Sequence, residues 1–246
     1  MASVENVVAS LGGNNNASSD VLPAYSNSGA NRVVVMDIAM CVAGATPASV
    51  SSITGGGLTW ARRSVVTLTD NDGSDHSSSL ERWWAFASAQ VSSQVFTVNY
   101  TGSPKTHAIA MLSVAGAFTP SSPWDTDASL PKTGTHAGAS SNPTVSGVAV
   151  DDLVPVFLSA STTRNGDFSQ VPPSGYTTVG PSHQEPAAGN DRSYMVGGYL
   201  VSTGPQSGIT LTGGASETVW LMAADAIAGD DVPPPLPPRS YGQVIS

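Results

Sequence analysis

Along most of the chain, apolar stretches of five to eleven residues rich in Val, Ile, Thr, Tyr and Trp are separated by clusters of Gly, Pro, Asn, Asp and Ser. Extended segments punctuated by turn formers are the pattern of sheets, and no run of helical period competes with it. The pattern predicts strands over 20–25, 32–42, 50–54, 59–69, 78–87, 94–100, 108–114, 143–148, 153–159, 176–179, 193–201, 209–212 and 218–226. In Leu80-Glu81-Arg82-Trp83-Trp84-Ala85-Phe86-Ala87, strict alternation puts Leu80, Arg82, Trp84 and Phe86 on one face and Glu81, Trp83, Ala85 and Ala87 on the other. Trp84 and Phe86 are therefore expected in a core, with Trp83 on the opposite face. The runs Ala108-Ile109-Ala110-Met111-Leu112-Ser113-Val114 and Leu153-Val154-Pro155-Val156-Phe157-Leu158 are nearly continuous hydrophobics. They read as central strands covered on both sides, with Pro155 pushing the second toward an edge or a bulge. The expectation is an all-β chain, an antiparallel two-sheet β-sandwich of jelly-roll-like kind occupying 17–229.

The two ends break this pattern. Residues 1–16 form a short apolar piece followed by Gly12-Gly13-Asn14-Asn15-Asn16, read as an extended arm on a tether. Residues 230–246 begin with Asp230-Asp231-Val232-Pro233-Pro234-Pro235-Leu236-Pro237-Pro238-Arg239, whose prolines stiffen the chain into polyproline II. The terminal Ser240-Tyr241-Gly242-Gln243-Val244-Ile245-Ser246 is thereby held away from the domain. Tyr241, Val244 and Ile245 either dock on a neighbouring subunit, in a groove or along a sheet edge, or belong to a disordered tail. The Pro234-x-x-Pro237-x-Arg239 match to an SH3 ligand reads as part of the spacer.

Composition narrows the function classes. Only 11% of residues are charged, against roughly 25% in ordinary soluble domains, so the surface is finished with Ser, Thr, Asn and Gly. Nine basic against eighteen acidic residues give a net charge of -9, and no stretch clusters Lys or Arg with aromatics, which argues against nucleic acid. No apolar run approaches the ~20 residues that span a bilayer, so no membrane partner is expected. The start, Met1 to Ala9, lacks the basic and apolar blocks of a secretory signal, which suggests synthesis in the cytoplasm, with exposure outside reached by assembly into a particle released on lysis or with the chain a processed one. The single cysteine, Cys41, lies in an apolar run and is expected to be a buried hydrophobe.

Candidate chemistry is sparse, and no enzyme is expected. Asp70-Asn71-Asp72-Gly73-Ser74-Asp75-His76 crowds carboxylates into a turn, with Asp70, Asp72, Ser74 and Glu81 at spacings reminiscent of a Ca²⁺ loop. Its glycine falls at the fourth position rather than the sixth, and the same residues suit any solvated hairpin turn. His76, His107, His136 and His183 are isolated, which speaks against zinc, and no Gly-x-Ser-x-Gly elbow is present. A glycosidase needs two opposed carboxylates, whereas Glu81 is alone among aromatics and reads as a cross-strand ion-pair or hydrogen-bond partner. Trp60, Trp83, Trp124, Tyr176 and Tyr199 serve a core or a sugar-stacking platform. Trp124, in its Pro-Trp-Asp loop, is the one expected to be exposed, followed as glycan-binding candidates by Trp83 and Trp60.

From Val50 to Ala228 the order of features resembles a β-sandwich module of bacteriophage virion structural proteins and large bacterial surface proteins. The features are Val50-Ser51-Ser52-Ile53-Thr54-Gly55-Gly56-Gly57-Leu58-Thr59-Trp60, a serine-rich hairpin, the Trp83-Trp84 strand and Val95-Phe96-Thr97-Val98-Asn99-Tyr100-Thr101-Gly102-Ser103. Then follow the strand from Ala108, Pro123-Trp124-Asp125, Val148-Ala149-Val150-Asp151-Asp152-Leu153-Val154 and Val219-Trp220-Leu221-Met222-Ala223-Ala224-Asp225-Ala226. The resemblance implies a non-enzymatic decoration, tail or fibre protein on a virion surface, contacting other virion proteins, forming homo-oligomers and, as an alternative, adhering to a host glycan. It brings no catalytic residues to carry over, and the proline spacer with its terminal heptapeptide is not part of the module.

Overall fold

The computed structural model describes residues 3–11, 17–70, 76–117, 121–126, 129–137, 144–148, 160–161, 171–184, 193–201, 206–210 and 219–229. Among them are fifteen strands and no helix. In chain order these are β1 (Ser3–Leu11), β2 (Ser19–Val21), β3 (Arg32–Ala43), β4 (Ser49–Thr54), β5 (Trp60–Asp70), β6 (His76–Ala87), β7 (Thr97–Thr101) and β8 (Thr106–Ala115). The remainder are β9 (Lys132–Ala137), β10 (Thr144–Val148), β11 (Ala160–Ser161), β12 (Thr177–Gln184), β13 (Ser193–Tyr199), β14 (Gln206–Thr210) and β15 (Val219–Ala224). Every named pairing is antiparallel. The largest sheet has five strands in the order β1-β8-β3-β6-β5, and two three-stranded sheets run β2-β7-β4 and β11-β15-β9. The pairs β12-β13 and β10-β14 complete the set.

The five-stranded sheet carries an apolar core on each face. Val33, Val35 and Ala39 of β3 enter one cluster with Trp124, Met195, Leu221 and Ile227. Val34, Met36, Ile38, Met40 and Val42 enter the other with Leu22, Tyr25, Ile53, Phe96 and Val98. Strict alternation assigns the odd residues to one core and the even ones to the other. This departs from a sheet of a simple two-layer sandwich, which has one apolar face and one wet one. The reason is visible in β3 and β8, whose nearly unbroken apolar runs leave no polar set to face water. Cys41 lies fully buried in β3, as its neighbours predict.

The strand pattern locates most elements, with three instructive exceptions. Residues 3–11, expected as part of a free arm, form β1 and pair with β8 from Ser3↔Ala115 to Leu11↔Ala108. A register shift between Val4 and Val7 marks a bulge around Glu5-Asn6. Glu5 there accepts from Arg32 Nε at 2.8 Å and Arg32 NH2 at 2.7 Å, and from Ser28 Oγ at 2.6 Å. Strand β9 was invisible because Lys132-Thr133-Gly134-Thr135-His136 has no apolar alternation; its order comes from pairing with β15. The two residues of β11 are too few to form a pattern. The predicted strand at 153–159 lies outside the described residues. In β12 the register slips between Val179 and Ser182, so Pro181 sits at a bulge, where its missing N–H removes no ladder bond.

The Glu5 clasp has a pH signature. The hydrogen bond from Arg32 holds the Glu5 carboxyl below its ordinary value of 4.5. A carboxylate with a lowered folded-state value stabilises the fold above the unfolded value, and that contribution disappears as pH falls through the folded one. Hydrogen-exchange protection of β1 amides, corrected for intrinsic rates, should hold steady above about pH 4.5 and decline below it. Arg32→Ala should remove that step, and an identical step in the variant would refute the assignment.

Candidate functional site

The face of β6 turned toward the β2-β7-β4 layer is a polar seam. Its alternate residues Ser77, Ser79, Glu81 and Trp83 descend along one side of the strand, and the first three bind backbone of the 44–50 segment. Ser77 Oγ donates to Gly44 O at 2.6 Å and Ser79 Oγ to Ala48 O at 2.7 Å. Glu81, with no exposed surface, accepts Val50 N–H at 3.0 Å through Oε1 and Trp83 Nε1–H at 2.8 Å through Oε2. The register shift between Val50 and Ser52 in β4 leaves that N–H available outside the ladder. Arg62 approaches the same Oε2 at 3.6 Å from the neighbouring strand. A second clasp joins the layers further along, where His107 on β8 meets Asp20 on β2 at 2.9 Å beneath the Tyr100 ring. Burial, and then the Asp20 charge, push the Tyr100 hydroxyl well above its usual range.

The opposite face of the sheet holds two further ion pairs. Arg82 and Asp37 sit directly across the β6–β3 ladder. The guanidinium donates through Nε at 2.8 Å and NH2 at 2.9 Å, a two-pronged pair closed off from water. Burial alone would lower the Arg82 value, but the charges of Asp37 and Asp225 more than offset it and hold the group protonated. Arg63, displaced by a register shift in β5 between Arg62 and Ser64, grips Asp225 at 2.8 and 3.2 Å. Its guanidinium carbon lies 4.9 Å from the centroid of the Trp124 ring. Trp124 in turn stands edge-on to Trp84, with centroids 6.2 Å apart.

These placements redraw the sequence-based candidates. Trp124, expected to be the exposed aromatic, is only 4% exposed and bridges to Ile227. Its loop is pinned by Asp125 N–H to Ala226 O and Ala228 N–H to Pro123 O, which turns the indole inward. It lies on the opposite side of the five-stranded sheet from Trp83 and cannot share a platform with it. Trp60 and Trp83 do come together: each is half-buried against the other cluster, and they are diagonal neighbours because Trp60 opposes Ala85 while Trp83 opposes Arg62.

Asp70 ends β5 opposite His76, whereas Glu81 is five ladder positions further along β6, about 17 Å away. Glu81 is thus directed into the layer seam and away from the Asp70 end of β5. Asp72 and Ser74 lie outside the described residues, as do Tyr241, Val244 and Ile245. The partners Asp37 and Asp225, both buried, and the partly exposed Asp20 are not legible as sites in the sequence. The one available signal was Asp37 as the sole charge inside the apolar run from Val33 to Val42.

No protein-family model matches the chain, and comparisons with curated proteins and with solved structures return no significant match.

Proposed function

We propose that the protein is a non-enzymatic structural protein of a bacteriophage particle, exposed on the capsid as a decoration or on the tail. In this reading the five-stranded sheet and the β2-β7-β4 layer are the two halves of a jelly-roll-like sandwich, the β9-β15-β11 and β12-β13 elements cover its far side, and the chain assembles with copies of itself and other virion proteins. The observation that carries the reading is the use made of the buried and partly buried polar groups between the strands. Glu81, His107 with Asp20, Asp37 with Arg82, and Arg63 with Asp225 each tie one strand or layer to another. Such pairing suits a body selected for rigidity more than a reacting centre, which needs a charged group left facing a ligand. The low charge content and the order of features from Val50 to Ala228 support the same reading.

Mass spectrometry of purified particles from cells expressing the gene tests it, and absence of the chain from the particles overturns it. Within particles, deleting residues 233–246 should release the protein; full occupancy of the truncated form would remove the tail as the anchor.

A second reading, a carbohydrate-binding or host-adhesion module, is favoured by one observation: Trp60 and Trp83 are only partly buried and share one face with Arg62, which is exposed directly opposite Trp83.

A further inference from the structure

The geometry points to a saccharide-binding ledge on the outer half of β5 and β6, built from Trp60, Arg62 and Trp83 and backed by Glu81. It deepens the second reading above and rests on it. Among the described residues strand β5 is the outermost strand of the five-stranded sheet, and β4 is the nearest strand of the covering layer. Val65, on the same face as Glu81, is 44% exposed, which marks where the cover ends.

On that open margin the two indoles are held by different means. Trp60 stands perpendicular to Phe96, with ring centroids 5.7 Å apart and planes at 87°. The turn before it, Gly55-Gly56-Gly57, has positive φ throughout and presses so closely on Val95 and the Phe96 ring that a Cβ at Gly55 or Gly56 would collide. That glycine turn therefore fixes the entry of β5 and with it the Trp60 ring. Trp83 is fixed by its Nε1–H bond to Glu81.

The diagonal relation of the two residues sets them about 7–8 Å apart across the ladder, within reach of one sugar ring or two joined ones. Directly opposite Trp83 the Arg62 side chain is 45% exposed, and its contact with the already doubly bonded Glu81 carboxylate is a loose 3.6 Å. A guanidinium so placed offers several N–H donors to solvent. Apolar faces beside a fan of donors complement a pyranose, whose C–H face stacks on indole while its hydroxyl oxygens accept hydrogen bonds. Pre-fixed rings lower the ordering cost of binding, which is what a site on a rigid strand pair provides. The occupant is a pyranose oligosaccharide. Whether it also carries a carboxylate for Arg62 is decided by comparing neutral with uronate-bearing ligands.

The test is a printed array of neutral and uronate-bearing oligosaccharides probed with the full chain, followed by titration of the best ligand into Arg62→Ala and Trp60→Ala. Each substitution should weaken binding about tenfold or more. Arg62→Ala decides the matter if Trp60→Ala unfolds, since Arg62 lies at the exposed edge. Wild-type binding that survives Arg62→Ala and a folded Trp60→Ala unchanged overturns the ledge but leaves the carbohydrate reading intact. Wild-type protein that binds no saccharide on the array overturns both.

Discussion

Arg82→Met should lower the unfolding free energy by about 3–5 kcal/mol, the loss expected when one partner of a buried ion pair is removed. The Asp37 carboxylate would remain in a core without the two hydrogen bonds and the opposite charge that Arg82 gives it. Arg82→Lys should also be costly, because an ammonium cannot reproduce bonds through both Nε and NH2 to the two carboxylate oxygens. The informative variant is the double replacement Asp37→Leu with Arg82→Met. Removing both charges removes the desolvation cost together with the attraction, so most of the lost stability should return. Urea denaturation of the four proteins measures the effect, with constant m-values showing that the unfolded states are comparable. A single-variant loss below about 1 kcal/mol would mean that the pair is not closed off from water as described.

That pair also shows what local pattern can and cannot reveal. Alternation in Leu80 to Ala87 correctly assigns Arg82 to the side of Trp84 and Phe86, because side-chain direction in a strand depends only on parity. It cannot supply the partner: Asp37 is 45 residues away, and the two meet only because β3 and β6 align in one register out of several. The same limit explains the cover over both faces of the five-stranded sheet. The continuous apolar run in β8 announces a strand buried on both sides, yet which segments provide the cover depends on pairings between distant residues.

Strand β1 escaped because Glu5 and Asn6 interrupt its apolar spacing, and the bulge that accommodates them has no local signature. Trp124 escaped for the converse reason. Pro-Trp-Asp is sound turn chemistry, but it is silent on whether the turn folds outward or, as here, is pinned inward by backbone bonds to Ala226 and Ala228. From the sequence Glu81 reads as a cross-strand ion-pair or hydrogen-bond partner. Its hydrogen bonds go instead to Val50 in the covering layer and to Trp83 on its own strand, and only the 3.6 Å approach of Arg62 is cross-strand. That the bond to Val50 joins two layers is a tertiary fact absent from any window of sequence.

The division of tryptophans between the two faces carries the second large expected effect. Trp124→Ala should cost about 3–5 kcal/mol of stability, the range for truncating a large buried aromatic without full collapse of the cavity. Three contacts disappear together: the edge-on packing with Trp84, the position beneath Arg63 and the indole's share of the core with Leu221 and Ile227. The damage should spread along Arg63, whose grip on Asp225 is steadied by the ring beneath it. Trp124→Phe should recover roughly half of the loss, because a smaller ring fills part of the space and still presents a π face to Arg63. Thermal and urea unfolding would measure both variants, with Arg62→Ala as the reference whose stability should stay within about 0.5 kcal/mol of wild type. If Trp124→Ala were instead as stable as wild type, the Pro-Trp-Asp loop would have to lie open to solvent, and Trp124 would return as a binding aromatic on the opposite face from Trp60 and Trp83. The two faces thus make opposite predictions for tryptophan: truncation at Trp124 should be read in stability, truncation at Trp60 chiefly in ligand binding.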